Sequence, residues 1–345
     1  MSTTIGVDVA KSVFEVAVSN RPGRIVKRHR LSRGQFARFL ATRAPATVVM
    51  EACGMAHFWG RQAVASGHRV VLLPPHAVRP YVPRNKTDRA DATALLEAAR
   101  NATIHPVPVK SVTQQALTGL HRLRSTWLAT RTARINIVRG LLREFGVTIP
   151  VGARQVVPRI AALLAGPDDT VPAVLHPALA AVISELRELD VRLRTVEQQL
   201  TAIAAAMRAV ERLRTIPGIG LLTATGLVAF VGDARRFPTA RHFASYLGLT
   251  PREHSSGLRR RLGAISKRGD TYLRMLLIHG ARAVLCHAKK AITPARLQRW
   301  ALHLERLRGH NKAAVALANK LARIAWAVWT SGTEFRVAHL TPTPA

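Results

Sequence analysis

The order of the apolar segments in the first third of the chain constrains the fold most. Thr4–Ala10 reads as a short apolar strand broken by one aspartate, Phe14–Val18 as a second strand, and Arg24–Leu31, after the turn at Gly23, as a third. Ser32 is placed to cap a helix over 33–43 that carries Phe36, Phe39 and Leu40 on one face. Thr47–Met50 follows as a buried-type strand ending at Glu51, then a helix over 55–66 stopped by Gly67, then a strand over Arg69–Leu73 closed by Pro74-Pro75. Three consecutive strands followed by helix, strand, helix and strand predict a mixed-sheet α/β domain.

The chain is strongly basic, which makes the positions of its few acids informative. It has 345 residues and a formal net charge of +33, with nine lysines against forty-three arginines. That excess points to a polyanion, and nucleic acid is the commonest one. Arginine suits it, because the planar guanidinium grips phosphate with two donors. An apolar share of 48% is enough to build cores and excludes wholesale disorder. Two cysteines, Cys53 and Cys286, exclude a disulfide scaffold and a multi-cysteine zinc site. No apolar run reaches the length of a membrane helix, and the first residues lack the pattern of a signal peptide. The expectation is a soluble, intracellular protein.

Asp8 lies inside an apolar strand, where an unpaired charge is costly. Glu51 ends another strand. Asp88 and Asp91 lie three apart at the start of a helix within Asn85-Lys-Thr-Asp-Arg-Ala-Asp, a spacing that puts both on one face. Four carboxylates so placed can converge on divalent ions. Hard oxygen ligands suit Mg2+, and a pair of ions can clamp a phosphodiester displacement. Asp88 and Asp91 alone also fit acids favoured by the helix dipole.

Val107–Ser111 reads as a linker. A basic helix is expected from Ser111 to about Phe145, interrupted over 147–152. Leu175, Leu179, Val182, Leu186, Leu189, Leu193, Val196, Leu200, Ile203, Met207 and Val210 then alternate steps of four and three, a heptad seam. Pro177 puts its first turn in question. The seam predicts a coiled coil, between chains or within an antiparallel hairpin.

In the last third, Leu213-Arg-Thr-Ile-Pro-Gly-Ile-Gly220 precedes an apolar helix over 221–231, a helix-hairpin-helix pattern in which Gly218 and Gly220 would let backbone amides approach a phosphate. A tight helical turn with no ligand fits the same residues. Between Arg252 and Asp270 stand Arg252, Arg259, Arg260, Arg261, Lys267 and Arg268, with Ser255-Ser256-Gly257 among them. A serine so surrounded can meet a phosphate whose charge is neutralised, although Ser-Ser-Gly by itself is most simply a turn. The chain is expected to be helical from Thr271, with 311–330 as a closing core helix and a frayed tail after Phe335.

These motifs, in this order and spacing, resemble the DEDD-type transposases of the insertion-sequence one-ten family, the bridge-RNA-guided recombinases. The resemblance runs along nearly the whole chain, through Ile5-Gly-Val-Asp-Val-Ala-Lys, Met50-Glu-Ala-Cys-Gly, Asn85-Lys-Thr-Asp-Arg-Ala-Asp, Ile216-Pro-Gly-Ile-Gly, and Gly248-Leu-Thr-Pro-Arg to Ser266-Lys-Arg-Gly. Cys53 and Leu258 depart from the usual pattern without touching an expected catalytic group. The resemblance implies a RuvC-like, RNase H-type α/β domain over 1–108, a helical coiled-coil region over 109–210, and a mainly helical C-terminal transposase domain over 211–345. It implies that Asp8, Glu51, Asp88 and Asp91 bind Mg2+ and that Ser256, or its neighbour Ser255, attacks DNA to form a phosphoserine intermediate. It also implies a non-coding bridge RNA pairing with donor and target DNA, a homo-oligomer from dimer to tetramer in which one protomer's acids complete another's site, and a prokaryotic, cytoplasmic setting at the nucleoid. A RuvC-like junction nuclease that hydrolyses DNA, or a non-catalytic nucleic-acid-binding protein, are the alternatives.

Overall fold

The computed structural model describes residues 3–82, 87–166 and 170–336. The Asn85-Lys86 start of the third motif and the tail beyond 336 lie outside the described residues. The chain divides into two compact units, Met1–Thr113 and Gln114–Ala345.

The first unit is the expected mixed sheet. Strands β1 (Thr4–Val9), β2 (Val13–Arg21) and β3 (Arg24–Ser32) form an antiparallel meander. After α1 (Arg33–Ala41), β4 (Thr47–Glu51) pairs parallel to β1; after α2 (Ala56–Ala65), β5 (Arg69–Leu73) pairs parallel to β4. The order is β3-β2-β1-β4-β5. Ser32 caps α1 as its sequence suggests, accepting from Gln35 N while the Gln35 side chain accepts from Ser32 N, a full capping box.

Alternation along the strands divides the core between two faces. Ile5, Val7, Val48, Met50 and Leu72 meet Phe36 and Leu40 of α1 and Trp59 of α2, with the rings of Phe14, Phe36 and Trp59 packed within 5.0 Å of one another. The opposite face is covered by α4 (Asp88–Ala98), which follows the short α3 (Pro75–Val78) and packs Ala94, Leu95 and Ala98 over Val49 and Leu73.

The second unit is almost entirely helical. Helices α5 (Val112–Glu144), α6 (Val156–Ala165) and α7 (His176–Ala205) share one apolar core. A body of α8 (Arg208–Arg214), α9 (Leu221–Val231), α10 (Ala240–Tyr246), α11 (Thr271–Lys290), α12 (Arg296–Arg308) and α13 (His310–Ser331) packs around another. A hairpin of β6 (Pro251–Glu253) and β7 (Leu262–Ile265) projects between α10 and α11 in sequence.

The heptad seam is resolved within the chain. Ion pairs join Arg124 to Glu197 at 2.7 Å, Arg131 to Asp190 at 2.6 Å and Arg134 to Glu185 at 2.8 Å, so α5 and α7 run antiparallel. Leu179, Leu186, Leu189, Val196 and Leu200 are the buried stripe. Two local expectations change. Pro177 sits in the first turn of α7, where its missing N–H removes no helical bond. The seam does not stay helical to Val210: α7 ends at Ala205, Met207 takes an extended conformation, and Val210 belongs to α8. Helix α6, which the sequence pattern does not predict, carries Val156, Ile160 and Leu163 into the core.

One buried polar group ties three helices together. His121 on α5 is fully buried, with Nδ1 2.9 Å from the Tyr272 hydroxyl of α11 and Nε2 3.0 Å from Thr225 Oγ1 of α9. The Thr225 hydroxyl donates to Leu221 O, which leaves its oxygen to accept from Nε2–H and Nδ1 to accept from Tyr272. Burial, then the nearby Arg124, hold the imidazole pKa down at about 4. In the unfolded chain it titrates near 6.5, so between those values the unfolded state binds the extra proton. The contribution is complete above pH 6.5 and is lost as pH falls toward 4. Urea unfolding at pH 7 and pH 4 is expected to show a loss of about 3 kcal/mol from this group. A His121→Gln variant, already less stable at pH 7, is expected to lose less across the same range; an identical loss would assign the acid lability to other groups.

Candidate active site

The site in the first unit is assembled by a glycine. Gly6 and Asp8 lie on the same face of β1, the face that α4 covers. A Cβ at Gly6 would stand 2.4 Å from Ala92 O and 3.0 Å from Leu96 Cγ of α4. The helix backbone therefore rests directly on the strand, and the start of α4 falls beside Asp8, two residues further along. Thr87 caps that start, accepting from Ala90 N at 3.2 Å, and fixes where the first turn begins.

The result is a convergence of Asp8, Asp88 and Asp91, one carboxylate oxygen from each lying within 4.8 Å of the others. Asp88 is exposed; Asp8 and Asp91 are half-buried. Asp91 Oδ1 is buried and has no hydrogen-bond partner among the described residues. Three carboxylates held this close repel one another unless a cation lies between them. The all-oxygen donor set, with one lone-pair atom left unused, fits a hard divalent ion.

Glu51 is not in that group. It ends β4, whose register sets Gly6 beside Val49 and Val7 beside Met50, so the next step along the ladder brings Glu51 level with Asp8. Both carboxylates reach Cys53: burial first, then Glu51, then Asp8 push its thiol pKa up, leaving it protonated and unreactive. Gly6→Ala is expected to destabilise the first unit by about 1–3 kcal/mol through overpacking. Because relief requires α4 to move off the sheet, the same change is expected to weaken any metal-dependent rise in Tm; an unchanged Tm and metal response would show that α4 does not depend on this contact.

In the second unit Ser256 lies near the tip of the β6–β7 hairpin. Ser256 N donates to Arg259 O at 3.3 Å and Arg259 N to Ser256 O at 3.2 Å, closing a tight loop through Gly257 and Leu258. Gly257 has φ +56°, the left-handed region that this turn needs and glycine supplies freely. Among the described residues Ser256 Oγ makes no hydrogen bond. Ser255 is tied down: its Oγ donates to Glu253 Oε1 at 2.7 Å and accepts from Arg261 N at 3.1 Å. Arg252, Arg259, Arg260, Arg261, Lys267 and Arg268 are all exposed. Of their side chains, Arg260 faces Glu253 at 3.4 Å and Arg252 reaches Ser266 O at 3.4 Å.

The hairpin stands on a backbone crossing. A Cβ at Gly248 would be 2.0 Å from Arg268 O, and one at Gly269 would be 1.9 Å from Tyr246 O. The two motif segments flanking the hairpin are thus pressed together, and Lys267 is held at φ +55°. Arg274, buried on α11, fastens the crossing by donating to Leu247 O at 3.2 Å and Arg268 O at 3.3 Å. Its basic character hid it among the surface arginines of the sequence.

Gly218 and Gly220 differ. Gly218, at φ +89°, packs against α11: a Cβ there would be 2.9 Å from Gly280 O, and one at Gly280 would be 2.0 Å from Gly218 O. Gly220 precedes α9 with open space beside it. The turn's first glycine is therefore needed for helix packing.

With carboxylates gathered on one sheet face and a basic serine-bearing hairpin in the second unit, the comparisons with known proteins define the class: this is a DNA-processing enzyme, a transposase. A transposase family model of the DEDD, IS110 type matches residues 5–147, and one described as "Transposase IS116/IS110/IS902 family" matches residues 210–297. A "Probable family 20 transposase" of Pseudomonas aeruginosa is 45% identical over 96% of this chain and 98% of its own length. The "Transposase for insertion sequence element IS1111A" of Coxiella burnetii is 40% identical over 96% of this chain and 91% of its own. A "Pilin gene-inverting protein" of Moraxella lacunata is 52% identical over 46 residues, 13% of this chain. The chain belongs to the IS110 family of insertion-sequence transposases. Among the described residues no helix is long and apolar enough to cross a membrane.

Proposed function

We propose that this transposase cuts and rejoins DNA through a covalent serine intermediate, with a metal site on Asp8, Glu51, Asp88 and Asp91 and Ser256 as nucleophile. The observation that carries the reading is the convergence of Asp8, Asp88 and Asp91, where Asp91 also has a buried Oδ1 with no hydrogen-bond partner among the described residues. The sheet order β3-β2-β1-β4-β5 with α4 across one face supports a RuvC-like domain over 1–108, followed by the coiled-coil region over 109–210 and the transposase domain over 211–345.

Bound Mg2+ would neutralise phosphate charge at the carboxylates. The four carboxylates would hold it, with α4 setting the spacing of Asp88 and Asp91. Ser256 Oγ attacks phosphorus, forming a P–Oγ ester as the bond from phosphorus to a sugar oxygen breaks; the serine proton leaves to solvent and the departing oxygen takes up another. Attack by a hydroxyl of a second strand reverses the exchange, so the phosphoester bond is conserved and no external energy source is needed. The engaged hydroxyl of Ser255 supports Ser256 as the nucleophile. The similarity to a pilin gene-inverting protein supports recombination. The net charge of +33 and the family support donor and target DNA as partners, a bridge RNA that pairs with both, and a homo-oligomer acting at the prokaryotic nucleoid.

A covalent-adduct assay tests this reading. Full-length protein is mixed with Mg2+, RNA transcribed from the flanking DNA and labelled element-junction DNA, then denatured and run on a gel. Label migrating with protein is expected. Cut DNA without adduct would instead establish a RuvC-like hydrolytic nuclease, and neither product would leave nucleic-acid binding without catalysis.

A further inference from the structure

The root of the Ser256 hairpin forms one wall of a groove that the catalytic reading does not use. The groove measures about 910 Å3 and lies between β7, α12 and α13. Its floor is apolar, with Ile265 and the small residues Val315 and Ala316, and Trp300 lines it from α12. Its other side is one stripe of α13: Lys312, Lys320 and Arg323 share a face with Val315, Ala316 and Asn319 at helical spacing. Asn319 Nδ2 donates to Leu249 O at 3.1 Å and ties that stripe to the base of the hairpin.

Among the described residues no carboxylate lines the groove. Lys320 Nζ is held 4.2 Å from the centre of the Trp300 ring. Burial, then Arg323 and Arg296, keep its pKa below the usual lysine value. The rim therefore carries mutual repulsion that an anion would relieve. A free phosphate would use the rim and leave the apolar floor unmatched. Duplex DNA would offer phosphates while keeping its bases stacked inside. An unpaired strand offers both phosphate and exposed base faces, and basic grooves with an aromatic wall are how such strands are held.

We propose that this groove binds a few nucleotides of single-stranded nucleic acid, with phosphates on Lys312, Lys320 and Arg323 and bases against the apolar floor and against Trp300, whose ring Lys320 uncovers as it turns to a phosphate. The strand would leave the groove beside Pro251 and Ile265, which pair at the root of the hairpin whose loop carries Ser256. Its purpose rests on the recombinase reading; its existence does not, and the test uses no cleavage.

Full-length Ser256→Ala protein without Mg2+ is irradiated with bromouracil-substituted single strands, DNA and RNA in separate arms, and the crosslinked peptides are mapped. Attachment at Trp300 or the facing turn of α13 is expected, and Trp300→Leu should remove it. Changing Lys312, Lys320 and Arg323 together to Ala is expected to weaken single-strand binding on the order of tenfold at low salt, and to flatten the logarithmic salt dependence by about 2. The single change Lys312→Glu, at an exposed position, should weaken binding with Tm unchanged. Preference for DNA would identify a displaced substrate strand, and preference for RNA an unpaired guide segment. Crosslinks mapping elsewhere with wild-type affinity in the triple variant, binding to duplex alone, or no binding would each overturn the proposal. If the adduct forms but the groove does not crosslink, the groove fails alone; the reverse result removes the serine chemistry and leaves the groove.

Discussion

Ser256→Ala is expected to lose the protein–DNA adduct and strand exchange completely, while Tm, DNA binding and the response to metal stay as in the parent. The expectation of an intact fold is local: the side chain is exposed near a hairpin tip and its Oγ bonds to nothing among the described residues, so its removal unpairs no buried group. The chemical loss is total because no other hydroxyl is equivalent. Ser255 Oγ already bridges Glu253 and the Arg261 amide. Ser255→Ala should loosen the hairpin, costing about 1 kcal/mol locally and lowering the rate while preserving the adduct. An adduct that persists in Ser256→Ala and vanishes in Ser255→Ala would move the nucleophile by one residue; persistence in both would remove serine from the mechanism.

Asp91→Asn is expected to depress strand cleavage on the order of a thousandfold, the equivalent of several kcal/mol of lost charge stabilisation. Its effect on the metal-free protein should have the opposite sign from that of an ordinary core substitution. Asp91 stands within 4.8 Å of two other carboxylates, and neutralising it relieves repulsion. Against this stands the loss of a favourable acid in the first turn of α4, worth about 0.3–1 kcal/mol. Tm without metal should therefore stay level or rise. The stabilisation expected from Mg2+ in the parent, about 2.7 kcal/mol at a hundredfold excess over Kd, should disappear. A variant that melts much lower without metal yet keeps its Mg2+ response would show that Asp91 serves the fold instead.

Much of this was legible because several physical signals coincided in short stretches. The strands of the first unit are apolar runs bounded by turn residues, and Ser32 with Gln35 announces the start of α1. Asp8 stands out because a charge in an apolar strand needs a reason. What the sequence concealed were relations across distance. Gly6 looks like an ordinary strand glycine until Ala92 is seen against it. Gly218 suggested a phosphate turn, and Gly280, sixty-two residues on, is what it meets. Glu51 could be placed level with Asp8, but whether its carboxylate joins the other three depends on side-chain geometry that strand register leaves open. Helix α6 was hidden by its shortness and by Pro158 within it. The seam seemed to continue past Ala205 because Met207 and Val210 keep the heptad spacing after the helix has stopped, with no glycine or proline to mark the break.

The antiparallel pairing of α5 and α7 has one more consequence. The heptad stripe of α7 is nearly degenerate: sliding it by seven residues along α5 would present an apolar side chain at most of the same places again. The ion pairs remove that freedom. A slip in one direction keeps Arg131 opposite an acid, now Glu197, but carries Arg124 to Ala204 and sets Arg134 against Arg192. The opposite slip leaves Arg124 with Asp190 and strands Arg131 at Ile183 and Arg134 at Ala178. Only the native alignment satisfies all three, so the two long helices work as a vernier scale, with a single setting at which every mark coincides.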